Sequence, residues 1–514
     1  MSNDDIKAAW YFHNGTKHPN GYLLSRTHRF NPAQKPRLFK TYTDLKPIPL
    51  PLDVTQREMS ALEAISNPAA TTEDEQIPNF GSIARILHFS AGITKRFRYP
   101  EPYGEIPFRA AACTGALYHI ELYLICGDPP DLDAGVYHYD SQNSGLIQLR
   151  EGDYVHHLTQ ASGMEDAISH APAIIAYTHI SWRNACKYQA RAYRHAFWDS
   201  GTILSHTLAL ANAERLRAKV VIGFVDEAVS ELLGLDEEKE LPLVLLSLGY
   251  GPEPSVDSGA ALDALDLAVE PIAQRETIFP AIREMHTASS LWDRSKVKQW
   301  RKARVHVART KPGNGLVASQ PLGAEQAPTQ AVEKVILRRG SSRKFSHDPI
   351  SFNQLSTLLV HALRPIPFDV TSADNGPLTQ AYIVVNNVKG LASGKYAYHH
   401  DHEGFERLEA GVFRAQAGKL ALDQNLGADA SVNIYFLTGL RSALEDLGNR
   451  GYRFAQLEAS ISAGRIYLGA YALGLGATGL TFYDDEVTKF FSPHAAEKSV
   501  MFLVAVGVPA GDKH

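Results

Sequence analysis

The segment "GVYHYDSQNSGLIQLREG", Gly135 to Gly152, and the segment "GKYAYHHDHEGFERLEAG", Gly394 to Gly411, share their glycines, two tyrosines and a leucine at matching internal positions. The two stand 259 residues apart. The offset persists beyond them: Tyr193 and Arg194 meet Tyr452 and Arg453, and Phe224 and Asp226 meet Tyr483 and Asp485. One supersecondary unit has been duplicated without net insertion over this stretch.

Upstream, "NFGSIARILHFSAGI" and "SFNQLSTLLVHALRP" align through Phe80 and Phe352, at an offset of 272, so the second copy is shorter by 13 residues between the two landmarks. The material around "GEIP" is the difference, and a trimmed loop costs little in closure entropy. Each copy reads as an amphipathic helix, a strand ("ELYLIC", "AYIVV"), a Tyr-x-Tyr hairpin, another strand ("APAIIAY", "SVNIYFL"), long helices and a last strand ("LPLVLLSLG", "VMFLVAVG"). That is an α+β layout with one sheet per copy. The expected division is an N-terminal domain over 1–255, a helical connector and Pro/Gly-rich linker over 256–330, and a C-terminal domain over 331–514.

Composition narrows the function classes. The 514 residues exceed one core, and 44% hydrophobic with 21% charged residues is the balance of a globular chain. A net charge of -5 argues against nucleic acid as partner. "MSNDDIKAAWYFHNG" has no basic start followed by an apolar run, and no stretch approaches a membrane span, so a cytoplasmic location is expected. Three scattered cysteines, Cys113, Cys126 and Cys186, fit neither a disulfide framework nor a CxxC metal site.

"RRGSSRKF", Arg338 to Phe345, concentrates four cations and two hydroxyls. At the 272 offset, Arg339, Ser341 and Arg343 fall on Asn67, Ala69 and Thr71, so the first copy lacks the cluster. R-x-S-x-R beside a helix suits a phosphate, because guanidinium forks, a hydroxyl and backbone N–H groups can converge on one anion. A solvated helix face is the competing reading of a short basic run.

Several motifs taken in order resemble the FMN-dependent nitroreductase superfamily, and within it the SagB-type dehydrogenases. They are "LRRGSSRKF", "RAAACTGALYHIELYLI", "KYQARAYRHAFWDSG", "YFHNGTK" and "FKTYTDLKPIPLP". The resemblance implies two nitroreductase-like domains packed as an internal pseudo-dimer around one FMN. Arg339, Ser341 and Arg343 would hold the flavin from the second copy, and the loop Ala112 to Tyr118, with Cys113, Thr114, Gly115 and Ala116, would approach it from the first. Lys187 and Tyr188 would be the proton-transfer groups. The offset of 259 puts Asp446 and Leu447 where the second copy would need that pair, and "SADNGPLTQ" has lost the Ala-Leu-Tyr end of the loop. Cys113 and Ala112 depart from the Ser and Pro usual in this loop.

"GLGATG", Gly474 to Gly479, follows a helix, so it reads as a helix C-terminal turn and not a dinucleotide fingerprint. The resemblance adds Gly476, Ala477 and Thr478 as backbone contacts to the flavin. "HHDH", His399 to His402, reads as a solvated hairpin turn, since four adjacent residues cannot all face one ion. The repeated Tyr-Arg pair reads as packing of the two halves.

Hydride transfer to or from a small molecule or modified peptide is the expected chemistry, with azoline oxidation implied by the Lys-Tyr element. Two alternatives stay open: an NAD(P)H-dependent nitro or quinone reductase, and a non-catalytic flavin-binding or scaffold protein.

Overall fold

The computed structural model describes residues 2–25, 34–52, 57–66, 75–100, 104–251, 262–303, 305, 312–313, 315–371 and 376–511. Two seven-stranded sheets run antiparallel throughout. In the first, the spatial order is Ile48–Pro49, Gly145–Glu151, Gly135–Asp140, Ile120–Cys126, Ala173–Ile180, Glu240–Leu248 and Ala218–Val221. In the second, it is Val317–Ala318, Gly404–Ala410, Gly394–His399, Thr379–Val385, Val432–Thr438, Ser499–Gly507 and Gly476–Gly479. The central strands Ile120–Cys126 and Ala173–Ile180 are buried at every position, which requires cover on both faces and explains their almost unbroken apolar reading.

Even the irregularities are duplicated. The Tyr-x-Tyr hairpins slip register between Val136 and Tyr137, and between Lys395 and Tyr396, 259 positions on. A second slip lies between Tyr177 and Thr178 in one sheet and between Phe436 and Leu437 in the other. Bulges fix the local twist of a sheet, so their conservation between copies marks one inherited architecture.

The helices Ala192–Ala213 and Arg450–Ala472 pack against each other at the seam, buried almost along their whole length. Their approach is set by small residues. A Cβ on Gly201 would overlap Ser460 Oγ and lie 2.6 Å from Ser460 Cβ, and one on Gly464 would overlap Ser205 Oγ and lie 2.7 Å from Ser205 Cβ. Position 460 is 201 displaced by 259, and 464 is 205 displaced by the same amount. Each glycine therefore faces its own counterpart across a pseudo-twofold axis, with the serine alternating between copies.

Two buried ion clusters lock the halves reciprocally. Asp226 accepts from Arg450 Nη1 and Arg453 Nη1, both at 2.6 Å, while Asp484 accepts from Arg194 Nη1 at 2.5 Å and Arg191 Nη1 at 3.1 Å. The paired arginines hold Asp226 down to about 2 against its burial, and hold Asp484 lower still. The repeated Tyr-Arg pairs belong to these clusters, with Tyr193 Oη 3.2 Å from His286 Nδ1 and Tyr452 Oη 3.4 Å from His13 Nδ1. One sequence alignment needs correction. Asp226 and Asp484 are the first residues of helices Asp226–Leu233 and Asp484–Phe491, so the counterpart of Asp226 is Asp484 and that of Phe224 is Phe482, at an offset of 258. A one-residue gap closes this short turn.

The span 256–330 is more than a connector. Helix Pro280–Ala288 presents His286 to Tyr193 as helix Lys7–Gly15 presents His13 to Tyr452, and Val317–Ala318 edges its sheet as Ile48–Pro49 edges the other. The lead was duplicated along with the sheet. Where the second copy is trimmed, the first carries the hairpin Ile93–Arg98 and Glu105–Arg109.

Candidate active site at the seam

The loop after Glu105–Arg109 is bent by unusual backbone. Gly115, Ala116 and Tyr118 all have positive φ, at 64°, 52° and 47°, and the two non-glycines are held there by their surroundings. Asp199, on helix Ala192–Ala213 and 4% exposed, is the anchor. It accepts from Thr114 N at 2.9 Å, Thr114 Oγ1 at 2.8 Å and Cys113 Sγ at 3.1 Å, and lies 2.6 Å from His119 Nε2. Thr202 Oγ1 adds a bond to Ala112 O at 2.8 Å. Burial and the Asp199 charge push the Cys113 thiol well up, so it stays protonated as a donor. His119 Nδ1 in turn lies 2.8 Å from His179 Nδ1.

Glu458, 259 positions after Asp199, accepts from Leu378 N at 3.1 Å and Thr379 N at 2.8 Å. Asn67, Ala69 and Thr71 lie outside the described residues, as does much of "SADNG".

Lys187 and Tyr188 end helix Ser181–Tyr188, with Lys187 Nζ 5.2 Å from the Tyr188 ring centroid and the Tyr188 ring edge-on to His195. Both touch the loop. A Cβ on Gly115 would sit 2.8 Å from Tyr188 Oη and 3.4 Å from Lys187 Nζ, so these three residues form one surface.

The second copy meets the start of this loop across the seam. Arg339 caps helix Val332–Arg338, and its guanidinium crosses the seam: Nε donates to Ala110 O at 2.7 Å and Nη2 to Arg109 O at 3.3 Å, while Nη1 donates to Gly340 O at 3.2 Å. Lys95, from the Ile93–Arg98 strand of the first copy, donates back to Arg339 O at 2.6 Å and Arg338 O at 3.0 Å. Ser341 Oγ lies 3.5 Å from Tyr467 Oη, and Ser342 N donates to Ala477 O at 3.0 Å. Gly476 to Thr478 form a sheet-edge strand, pressed so closely on Ser342 that a Cβ at Gly476 would overlap its hydroxyl. Gly474, at φ 75°, makes the helix-ending turn. Arg343 is exposed.

The charges here fit an anion. Burial and the neighbouring Arg339 charge push Lys95 down to about 8, and burial pushes Arg339 down. Neither has a carboxylate partner among the described residues. Ser342 Oγ and Arg109 Nε are buried without partners. Crowded cations and idle donors are what a phosphorylated flavin would satisfy. Arg339 has spent three of its five donors on carbonyls and Lys95 two of its three, so Ser341 and Arg343 are the freer groups.

Residues 336–508 match the Nitroreductase family. The nitroreductase fold extends over the whole chain: the crystal structure of a nitroreductase-type protein from Anabaena variabilis superposes with TM-score 0.77 at 24% identity, covering 98% of this chain and 99% of that one. A nitroreductase homologue of Methanocaldococcus jannaschii is 24% identical over 197 residues, 38% of this chain and 89% of its own. The microcin B17-processing protein McbC of Escherichia coli is 26% identical over 162 residues, which is 30% of this chain and 59% of McbC. No described helix is long and apolar enough to cross a membrane.

Sequence reasoning missed Asp199, Lys95, Arg109, His119 and Tyr467. Two signals pointed to three of these. Asp199 is a lone carboxylate within an apolar helix, and such a group is rarely buried without a task. Lys95 and Arg109 lie in the stretch that one nitroreductase-like copy has and the other lacks.

Proposed function

We propose that the chain is an FMN-dependent oxidoreductase of the SagB dehydrogenase kind that oxidises azoline groups in a modified peptide, with one FMN per chain at the seam. The observation carrying this reading is the bond from Arg339 to the carbonyls of Arg109 and Ala110, which fastens the anion-binding segment to the loop that contacts Lys187 and Tyr188. The similarity to McbC supports a peptide substrate.

Bound FMN would supply a two-electron hydride acceptor. Ser341, Arg343 and Lys95 would hold its phosphate as charge-assisted donors, and the backbone of Gly476, Ala477 and Thr478 would border its ring. Cys113 to Ala116, braced by Asp199, would form the facing surface. Oxidation of an azoline releases a proton as well as a hydride, and Lys187 Nζ or Tyr188 Oη would take it. Fold likeness alone does not choose a substrate. The nitroreductase match favours, as a second reading, reduction of quinones or nitroaromatics by NAD(P)H.

Purified full-length protein mixed with FMN separates the readings. A flavin spectrum that bleaches anaerobically with an azoline-bearing peptide supports the dehydrogenase. Bleaching with NAD(P)H alone supports the reductase, and a protein that ignores FMN is a scaffold.

A further inference from the structure

The histidines of "HHDH" do not act as a group. His399 ends strand Gly394–His399 with a side chain 5% exposed, while His400–His402 form the turn beyond it. His399 faces another pair: its Nε2 lies 2.7 Å from Glu406 Oε2 on the neighbouring strand, and His494 Nε2 approaches the same oxygen at 3.6 Å. One ligand atom from each of the three lies within 4.8 Å of the others.

His494 Nε2 is buried without a hydrogen-bond partner. Its other nitrogen is engaged, with Nδ1 2.7 Å from Tyr382 Oη. Tyr382 has acceptors for its own proton in Gln380 Oε1 and His494 O, each at 3.3 Å, so its hydroxyl can accept from an Nδ1–H. That tautomer leaves a bare Nε2 lone pair facing a carboxylate oxygen. Two acceptors turned toward each other call for a cation between them. A polar group on the far nitrogen is also the usual arrangement around a metal-bound histidine, where it fixes the ring and the tautomer.

The three residues belong to one copy. At the 259 offset, Asp140 and Ile147 stand where His399 and Glu406 stand, so the group is not part of the duplicated scaffold. His494 also lines a cavity of about 790 Å³ bordered by Trp10, His13 and Lys17 from the first half. Lys498 opposes a cation here: burial pushes it down to about 8, which still leaves it charged at neutral pH, so metal loading is favoured above that value.

We propose that His399, Glu406 and His494 bind a divalent transition-metal ion, with two imidazole nitrogens and one carboxylate as ligands and a further position open toward the cavity. Two histidines and a carboxylate are a donor set suited to Zn²⁺ with one exchangeable position. The site is separate in residues from the seam site and does not depend on flavin binding.

The test uses full-length protein stripped with a chelator, then dialysed against Zn²⁺ and assayed for metal per chain, with Co²⁺ absorption as a second readout of ligand geometry. The expected result is one Zn²⁺ retained per chain, lost in His399→Ala/His494→Ala and weakened at least tenfold in Glu406→Gln, which keeps the side-chain shape. Circular dichroism establishes that the variants fold. Because Cys113, His119 and Asp199 also cluster, Cys113→Ser is included and should retain the ion. Absence of bound Zn²⁺ in the wild type, full retention by the folded double-alanine variant, or loss in Cys113→Ser would each overturn the proposal.

Discussion

Gly201→Ala probes the seam on which the composite site depends. Its Cβ would lie 2.6 Å from Ser460 Cβ and 2.9 Å from Ile461 N, atoms that no side-chain rotation can move away. Such overpacking costs about 1–3 kcal/mol, and contact with fixed atoms puts this case near the top of that range. Alanine regains about 1 kcal/mol of helix propensity, leaving a net loss of about 2 kcal/mol. Ser460→Gly alone should also cost about 2 kcal/mol, through glycine in a helix and the lost bond from Ser460 Oγ to Phe197 O. Ser460→Gly removes the overlap that Gly201→Ala creates with Ser460, leaving only the 2.9 Å approach to Ile461 N. The double variant should then lie about 1–2 kcal/mol below wild type, against about 4 expected from the singles, a coupling of about 2–3 kcal/mol. Urea denaturation of the four proteins, compared at unchanged m-value, measures it. Additivity within about 0.5 kcal/mol would show that these helices do not meet at Gly201 and Ser460.

Asp484→Asn should destabilise the protein by about 3–5 kcal/mol, since it leaves Arg191 and Arg194 buried without a counter-charge, and a denaturant shift under 1 kcal/mol would contradict the reciprocal clusters. Lys95 should make FMN affinity depend on pH. With Lys95 lowered to about 8, affinity should be flat from about pH 7, above the second ionisation of the phosphate, to pH 8 and fall as pH rises further, because binding must then take up a proton; Lys95→Met should abolish this slope in fluorescence titrations. Lys187→Ala and Tyr188→Phe should slow azoline oxidation by about 10²–10⁴-fold if they carry proton transfer, with FMN affinity retained within a few-fold. Asp199→Ala removes three donors' acceptor from the Cys113–Thr114 turn and should weaken FMN binding and speed hydrogen exchange at Thr114, and unchanged exchange would remove its bracing role.

The duplication was legible because a sheet's side-chain period and its bulges tie residues to fixed spacings. Gly135, Tyr137 and Gly145 could not drift relative to one another without changing register. The edge strands Ile48–Pro49 and Val317–Ala318 were not legible, being two residues long. The second lead was hidden for a related reason: helices Lys7–Gly15 and Pro280–Ala288 share a histidine and a packing role but little else in sequence. Of the site, Arg339, Ser341, Lys187 and Tyr188 could be read from motifs, whereas Lys95 and Asp199 act through contacts made in space by single residues. The offset read at Phe224 and Asp226 slipped by one because a turn, unlike a strand, absorbs an insertion without breaking a ladder.

The central claim is that the two halves build one flavin site together. A crystal structure of the chain soaked with FMN tests it directly. One FMN per chain, its phosphate at Ser341 and Arg343 and its ring against Gly115, Lys187 and Tyr188, is the result expected. Two FMN molecules per chain, or one held within a single half, would contradict it.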